Sequence, residues 1–377
     1  MRAIGLMSGT SMDGIDVALL DTDGDGISGP TGRNRAVPEV HASAPVRYDP
    51  AEIDLLYRAK ADAQALTAPD ARPGCLAEAE ALVTRRHAEA VEAFLALHGL
   101  RPSDIDVVGF HGQTVVHRPK DGLTVQIGDG PALARRLGIR VVHDFRSADV
   151  ADGGEGAPLV PVFHRALAKA SGFALPLAIL NIGGVANVTF LDEGDALAGF
   201  DTGPGNALLN DLMRSRTGRP FDEDGQAAAA GRVDEELVRW LLSHPFFGRP
   251  PPKSLDRDAF SHGAVGTLSV ADAAATLAAF TVRAVVRGAE WASAPPLRWI
   301  VAGGGAHNAT LMKGLGDAFR VPVQTAEEVG WSVDDLEAQA FAFLAARRIA
   351  GLPITFPSTT GVPQPTLGGR IAEPGDR

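Results

Sequence analysis

Residues 3–20 constrain the fold more than any other stretch. An apolar run, Ala3-Ile4-Gly5-Leu6-Met7, enters the polar turn Ser8-Gly9-Thr10-Ser11-Met12-Asp13-Gly14, and a second, Ile15-Asp16-Val17-Ala18-Leu19-Leu20, leaves it. Two such runs about a glycine-flanked turn predict a β-hairpin at the start of the chain. Gly9 and Gly14 let backbone amides approach a ligand, and Thr10 and Ser11 add hydroxyls. Asp13 brings a carboxylate suited to orienting water around a cation. Phosphate with Mg²⁺ fits that mixture, although a solvated turn uses the same residue types.

At 377 residues the chain is too long for one ordinary core, so two domains are expected. The boundary is placed in the polar passage Asp144–Pro158, giving an N-terminal α/β domain over 1–145 with a helical insert at about 50–98. A C-terminal α/β domain over 146–377 follows, its final helix and tail packing back on the first domain. A net charge of −11 argues against a nucleic-acid backbone as partner. Cys75 is the single cysteine, which excludes an intrachain disulfide and points to a reducing compartment. No apolar run approaches the ~20 residues needed to span a bilayer. A cytoplasmic protein without membrane or nucleic-acid partners is expected.

Two motif matches fail their context. Gly24-Asp25-Gly26-Ile27-Ser28-Gly29 fits a dinucleotide fingerprint, but no helix pattern follows it. Asp21-x-Asp23-x-Asp25-Gly26 opens like a calcium loop, yet its twelfth position is Gly32. An acidic turn before a strand near Ala42–Tyr48 accounts for both. Helical spacing covers Ala51–Ala63 and Leu76–Leu97. The strand Val107–Phe110 then leads into a polar tip, His111-Gly112-Gln113-Thr114, whose imidazole and amide suit a hydroxylated ligand.

The opening design returns at Ala178-Ile179-Leu180-Asn181-Ile182, Gly183-Gly184 and Val185–Leu191, which suggests two similar domains with their tips directed at one nucleotide. In Gly199-Phe200-Asp201-Thr202-Gly203-Pro204-Gly205-Asn206 an aspartate stands at the expected end of a strand, where a general base belongs in an α/β enzyme. Asn206 is the better candidate to cap the next helix, leaving Asp201 for chemistry. Lys253 and Arg257, in a proline-rich loop, are candidate phosphate cations or simply exposed. Trp299–Ala302, Gly303-Gly304-Gly305 and Asn308 form a third glycine element, strand to helix N-terminus, suited to a phosphate or an adenosine edge. Ser332–Asp335 predicts a capping box for the helix Leu336–Arg348, with Glu337 in its first turn. The tail from Leu352 reads as irregular.

In that order, Gly5–Asp16, His111–Thr114, Gly153–Pro161, Asn181–Gly184, Phe200–Asn206, Gly303–Asn308 and Leu367-Gly368-Gly369-Arg370 resemble the motifs of the anhydro-N-acetylmuramic acid kinases. The resemblance covers nearly the whole chain. It implies a two-domain sugar kinase/actin/Hsp70-like (ribonuclease H-like) α/β fold with an interdomain active-site cleft holding ATP and Mg²⁺. The implied reaction phosphorylates the 6-oxygen of 1,6-anhydro-N-acetylmuramate while water opens the anhydro bridge. Asp201 matches the family's general base. Gly9, Thr10, Ser11, Met12, Asp13, Gly14, Ile15 and Asp16 match its ATP-binding segment, joined by Asn181, Gly183, Gly184, Gly203, Gly205, Gly303, Gly304, Gly305 and Asn308. His111, Gln113, Thr114 and Glu337 fall to the sugar, and family precedent suggests a homodimer. The chain departs from the pattern at Glu155, where glutamine is expected, and at Leu255-Asp256, where Thr-Gly is expected.

Two other functions compete. A sister sugar kinase would use Asp201 to deprotonate a hydroxyl of an open hexose or amino sugar. A non-catalytic ATP- or sugar-sensing module would have no use for Asp201, and no DNA-binding segment precedes the first strand.

Overall fold

The computed structural model describes residues 1–9, 12, 14–27, 41–42, 46–333 and 335–376, and divides into two compact units. Unit 1 comprises Met1–Gly172 with Asp335–Arg377, and unit 2 comprises Phe173–Asp334. The sequence-based division at 145/146 lies inside unit 1, between β8 and α4 as defined below.

Unit 1 opens with the hairpin β1 (Arg2–Met7) and β2 (Gly14–Asp21), paired antiparallel from Arg2↔Asp21 to Met7↔Asp16. Short strands β3 (His41–Ala42) and β4 (Val46–Arg47) add to β2. Helices α1 (Pro50–Asp62) and α2 (Leu76–His98) follow, α1 closed at its start by an Asp49/Glu52 capping box. Next come β5 (Val107–Phe110), the ribbon β6 (Gln113–Arg118) and β7 (Leu123–Ile127), α3 (Gly130–Leu137) and β8 (Val141–His143). Helices α4 (Ser147–Ala151) and α5 (Pro161–Ala170) complete this part. Gln113 and Thr114 thus begin a strand rather than forming a turn. β5 runs parallel to β1, and β8 parallel to β5.

Unit 2 repeats the plan. β9 (Leu177–Ile182) and β10 (Val185–Leu191) form an antiparallel hairpin, and β11 (Leu197–Pro204) pairs antiparallel with β10. After α6 (Ala207–Thr217), α7 (Gln226–Ala230), α8 (Glu235–Leu241) and α9 (Val270–Ala289), β12 (Trp299–Ala302) lies parallel to β9. α10 (Ala309–Ala318) then leads to β13 (Val323–Thr325), parallel to β12. The order β11-β10-β9-β12-β13 reproduces β3-β2-β1-β5-β8 in order and strand sense.

The chain then returns to unit 1 as α11 (Leu336–Ile349) and β14 (Arg370–Ala372). Strand alternation gives the first sheet two faces. Ile4, Leu6, Val108 and Phe110 join the core with Leu56, Val83 and Phe94 of α1 and α2. The alternate residues Gly5 and Gly109 lie against the α11 backbone, where Phe341 meets Phe145 at 5.3 Å and Phe343 meets Phe163 at 5.7 Å. The tail is more regular than its composition suggests, because β14 pairs antiparallel with β8 and covers that sheet edge. No capping box starts α11: Asp335 occupies the cap position without a side-chain cap bond.

Candidate functional site

The candidate residues fall in both units. In unit 1 the hairpin tip is held by a buried amide. Gln113 Nε2 donates to the Gly9 carbonyl at 3.1 Å, and Gln113 Oε1 accepts from Ser8 Oγ at 2.7 Å. The Met12 N–H also donates to the Gly9 carbonyl, at 3.2 Å, and Met12 takes φ 56, an uncommon left-handed conformation for a side chain of its kind. Thr10, Ser11 and Asp13, expected at the same tip, lie outside the described residues. Gly14, Ile15 and Asp16 begin β2.

His111 is buried with both ring nitrogens engaged. Nδ1 lies 2.8 Å from the Gly112 carbonyl, and Nε2 lies 3.0 Å from Arg146 Nη2. Arg146 supplies only donors, so Nε2 accepts and Nδ1 carries the proton. Burial first, and then the Arg146 charge, hold the imidazole well below its usual range, so it is neutral. Arg146 also donates to the Gly156 carbonyl at 2.8 Å, while Asp149 accepts from the Gly156 N–H at 2.6 Å and from Thr360. The His111 and Gln113 side chains therefore brace the Gly9 turn and the Gly153–Pro158 passage; those polar atoms were expected to face a ligand. Thr114 is half-buried in β6, and Glu337 occupies the first turn of α11.

Unit 2 gathers its glycines at one end of the sheet. The Gly205 N–H donates to the Gly184 carbonyl at 3.0 Å and the Asn206 N–H to the Gly183 carbonyl at 2.8 Å. A Cβ on Gly205 would lie 2.2 Å from the Gly183 oxygen; one on Gly303, at φ +75, would lie 2.3 Å from Asn181 Oδ1; one on Gly305 would meet Ile182 at 2.4 Å. Close packing demands glycine at those three, against backbone at Gly205 and against side chains at Gly303 and Gly305, with the positive φ adding to it at Gly303. Gly183 and Gly304 are different. Their nearest neighbours stand 3.7 Å and 3.5 Å from a Cβ, and neither has positive φ. Neither packing nor backbone conformation requires glycine there, which leaves room for a phosphate to approach the main chain.

Asn206 does not cap α6. Its amide donates to the Ile182 carbonyl at 3.2 Å, tying the β11 exit to the β9–β10 turn. Asn308 caps α10 instead, accepting from the N–H groups of Thr310 and Leu311.

Asp201 sits within β11, not at its end. The register slips between Ala186↔Gly203 and Asn187↔Asp201, so Thr202 is the extra residue of a β-bulge. The bulge turns the strand just past Asp201. The Asp201 N–H donates to the Lys253 carbonyl at 3.0 Å, and Asp201 Oδ2 accepts from the Leu255 N–H at 2.7 Å. Asp201 is 7% exposed and counts among the buried polar residues.

The two loop cations behave differently from exposed loop residues. Arg257 donates to Asp211 at 2.9 Å. Lys253 is 2% exposed, with Nζ 3.3 Å from the Phe246 carbonyl and 4.6 Å from that ring's centroid. Sequence reasoning missed its burial because the covering rings come from residues 200 and 246.

Paired sheets of the ribonuclease H-like order, each opening on a glycine-tipped hairpin, define the sugar kinase/actin/Hsp70 class of phosphotransferase fold. Within it, the profile of the family described as anhydro-N-acetylmuramic acid kinase matches residues 1–374. The chain belongs to this family. It is 61% identical over 374 residues to the anhydro-N-acetylmuramic acid kinase of Methylobacterium nodulans, covering 99% of this chain and 100% of that one. The protein of the same name from Rhodopseudomonas palustris strain BisB18 is 53% identical over 377 residues, covering 99% and 100%. A solved structure of the (R)-2-hydroxyglutaryl-CoA dehydratase component A from Acidaminococcus fermentans aligns over 93% of this chain and 99% of that one, at 12% identity and TM-score 0.45.

Proposed function

We propose that the protein transfers the γ-phosphoryl group of ATP to the 6-oxygen of 1,6-anhydro-N-acetylmuramate as water opens the anhydro ring, giving N-acetylmuramate 6-phosphate and ADP. The observation that carries this reading is the family match over residues 1–374, with a relative 61% identical, joined to a buried aspartate at position 201.

Asp201 takes a proton from water as the water oxygen bonds to the anomeric carbon. The bond from that carbon to the 6-oxygen breaks, and the freed oxygen bonds to the γ-phosphorus as the bridge to ADP cleaves. A carboxylate is a sufficient base because the carbon is oxocarbenium-like in the transition state. The Leu255 N–H, bonded to Oδ2, fixes the carboxylate. Phosphoryl transfer depends mainly on positioning and charge neutralisation. The glycine turns at Gly9, at Gly183-Gly184 and at Gly303–Gly305 serve the nucleotide in this reading, with Gly183 and Gly304 nearest to phosphate.

Among the described residues no group of three or more His, Cys, Asp or Glu side chains forms a metal cage. Mg²⁺ keeps several waters and binds largely through nucleotide phosphates, so the reading does not depend on such a cage. Bound there, Mg²⁺ would supply charge neutralisation on the phosphates. Among the same residues no helix is long and apolar enough to cross a membrane. A cytoplasmic homodimer completes the reading; sedimentation of the purified protein tests the dimer.

The direct test is ADP release with Mg²⁺-ATP on 1,6-anhydro-N-acetylmuramate, N-acetylmuramate and N-acetylglucosamine. Turnover confined to the anhydro sugar, with a 6-phosphorylated open product, is expected. Turnover on the open sugars alone would replace this reaction with ordinary hydroxyl phosphorylation.

A further inference from the structure

We propose that Asn187 is a second catalytic residue: its side-chain oxygen accepts one hydrogen of the attacking water while Asp201 takes the other. This rests on the reading of Asp201 as the general base.

The geometry starts from the strand register. Asn181 of β9, Asn187 of β10 and Asp201 of β11 are direct partners across three neighbouring antiparallel strands. Such partners point to one face of a sheet, with Cβ atoms about 4.5–5.5 Å apart. The residues on either side of Asp201 fix which face this is. A Cβ on Gly288 of α9 would meet the Thr202 side chain at 2.7 Å and the Phe200 ring at 3.7 Å, so both turn toward that helix. Asp201, between them, turns away from α9, and Asn187 turns with it. The row lies beside the glycine turns, with Gly183 two residues beyond Asn181 and Gly203 two beyond Asp201.

The middle member of the row lacks a partner. Asn187 is half-buried, and its Oδ1 is closed off from solvent with no hydrogen-bond donor against it among the described residues. A carbonyl oxygen in that state costs stability, and buried polar groups in folded proteins ordinarily have partners. Packing gives no reason to keep an amide there, since leucine fills a similar volume without an unpaired oxygen. A bound O–H donor gives one.

The attacking water is such a donor. In the reaction proposed above it gives one proton to Asp201 as its oxygen bonds to the anomeric carbon. Asn187 Oδ1, an acceptor with no proton of its own to give, takes a hydrogen bond from the other O–H. With both hydrogens held, a lone pair of the water oxygen is left to face the carbon, and the reactant is oriented before it reacts. The second hydrogen is not transferred. It stays on the oxygen and becomes the hydrogen of the new anomeric hydroxyl. Asp201 deprotonates the water; Asn187 orients it.

The test is Asn187→Leu, read by thermal melting and by kcat and KM for ATP and the anhydro sugar, beside Asp201→Asn. Leucine removes an unpaired acceptor, so the variant should melt no lower than the wild type. Its kcat should fall by about 10- to 100-fold, the cost of a misplaced reactant, with both KM values little changed because the water is neither substrate. An unaltered kcat overturns the proposal. So does a lowered melting point or a failure to fold, because either makes the amide a structural group. A loss confined to KM overturns it too, by moving Asn187 to substrate binding. Near-normal turnover of Asp201→Asn removes the general-base reading and this inference with it. An inactive Asp201→Asn beside a fully active Asn187→Leu removes only the role of Asn187.

Discussion

A Cβ on Gly5 of β1 would lie 1.7 Å from the carbonyl oxygen of Ala338 in α11. On neighbouring β5, a Cβ on Gly109 would lie 2.1 Å from the Phe341 oxygen. Two adjacent glycines therefore set the distance between the central strands of unit 1 and the helix that carries Glu337. Backbone cannot move aside as a side-chain tip can, so Gly5→Ala is expected to cost at least ~3 kcal/mol, the upper part of the usual overpacking range. Urea unfolding monitored by circular dichroism checks this, and an unchanged midpoint would contradict the packing described here.

The glycines of unit 2 predict a contrast. Gly205→Ala, whose Cβ would stand 2.2 Å from the Gly183 oxygen, should destabilise the fold. Gly183→Ala meets nothing closer than 3.7 Å and should melt as the wild type does. If phosphate approaches Gly183, that same variant should lose ATP affinity by about tenfold or more, the cost of a hindered charge-assisted contact. Calorimetric titration with ATP checks this; unchanged affinity would confine the Gly183 glycine to a neutral turn position.

Gln113 predicts an effect on ATP through the turn it braces. Gln113→Leu removes the acceptor of the Ser8 hydroxyl at 2.7 Å and one of two donors to the Gly9 carbonyl at 3.1 Å, the Met12 N–H remaining. Losing a buried polar partner costs ~1–3 kcal/mol. The KM for ATP should rise by about fivefold or more at that cost, with the KM for the sugar little changed. A rise confined to the sugar would return Gln113 to the sugar-contacting role read from its sequence.

The buried histidines predict an acid-sensitive fold. Burial lowers His87 to about 4, His117 to about 4 and His164 to about 3. In the unfolded chain they take up protons near the ordinary value of about 6.5. Between these limits the unfolded state binds more protons, so stability is lost as pH falls from about 6.5 toward 4. Each such histidine contributes up to about 1.4 kcal/mol per pH unit across that window. His87 is fully buried on α2, bonded to the Val83 carbonyl at 2.7 Å and edge-on to Phe110 at 4.9 Å. His87→Leu should flatten the pH slope of unfolding by about one proton. An identical slope would show that the imidazole is already protonated in the fold.

Much of the architecture is legible in the sequence because it is local. The two glycine-tipped hairpins announce themselves by apolar runs a few residues apart, and the Asp201 motif by its Gly-Pro-Gly surroundings. What escaped is non-local. Lys253 reads as an exposed loop cation because Phe200 and Phe246 reach it only in the fold. Gln113 reads as a ligand contact because Ser8 and Gly9 are over a hundred residues away. Three residues of β14 carry no strand pattern of their own; the open edge of β8 creates that strand. The bulge at Thr202 is likewise a property of pairing with β10, invisible in β11 alone.

The discontinuity of unit 1 has a consequence for how the protein is made. Phe173–Asp334 is one unbroken run, whereas the first unit needs Asp335–Arg377 to finish it. At a synthesis rate of ~5–20 residues per second, the opening strands wait ~10–30 s while the middle of the chain emerges from the ribosome. By the end of that interval the second unit has all five strands, while the Gly5 and Gly109 face still has no helix over it. The earliest-made sheet is therefore the last to be sealed, and α11 acts as the closing piece of translation.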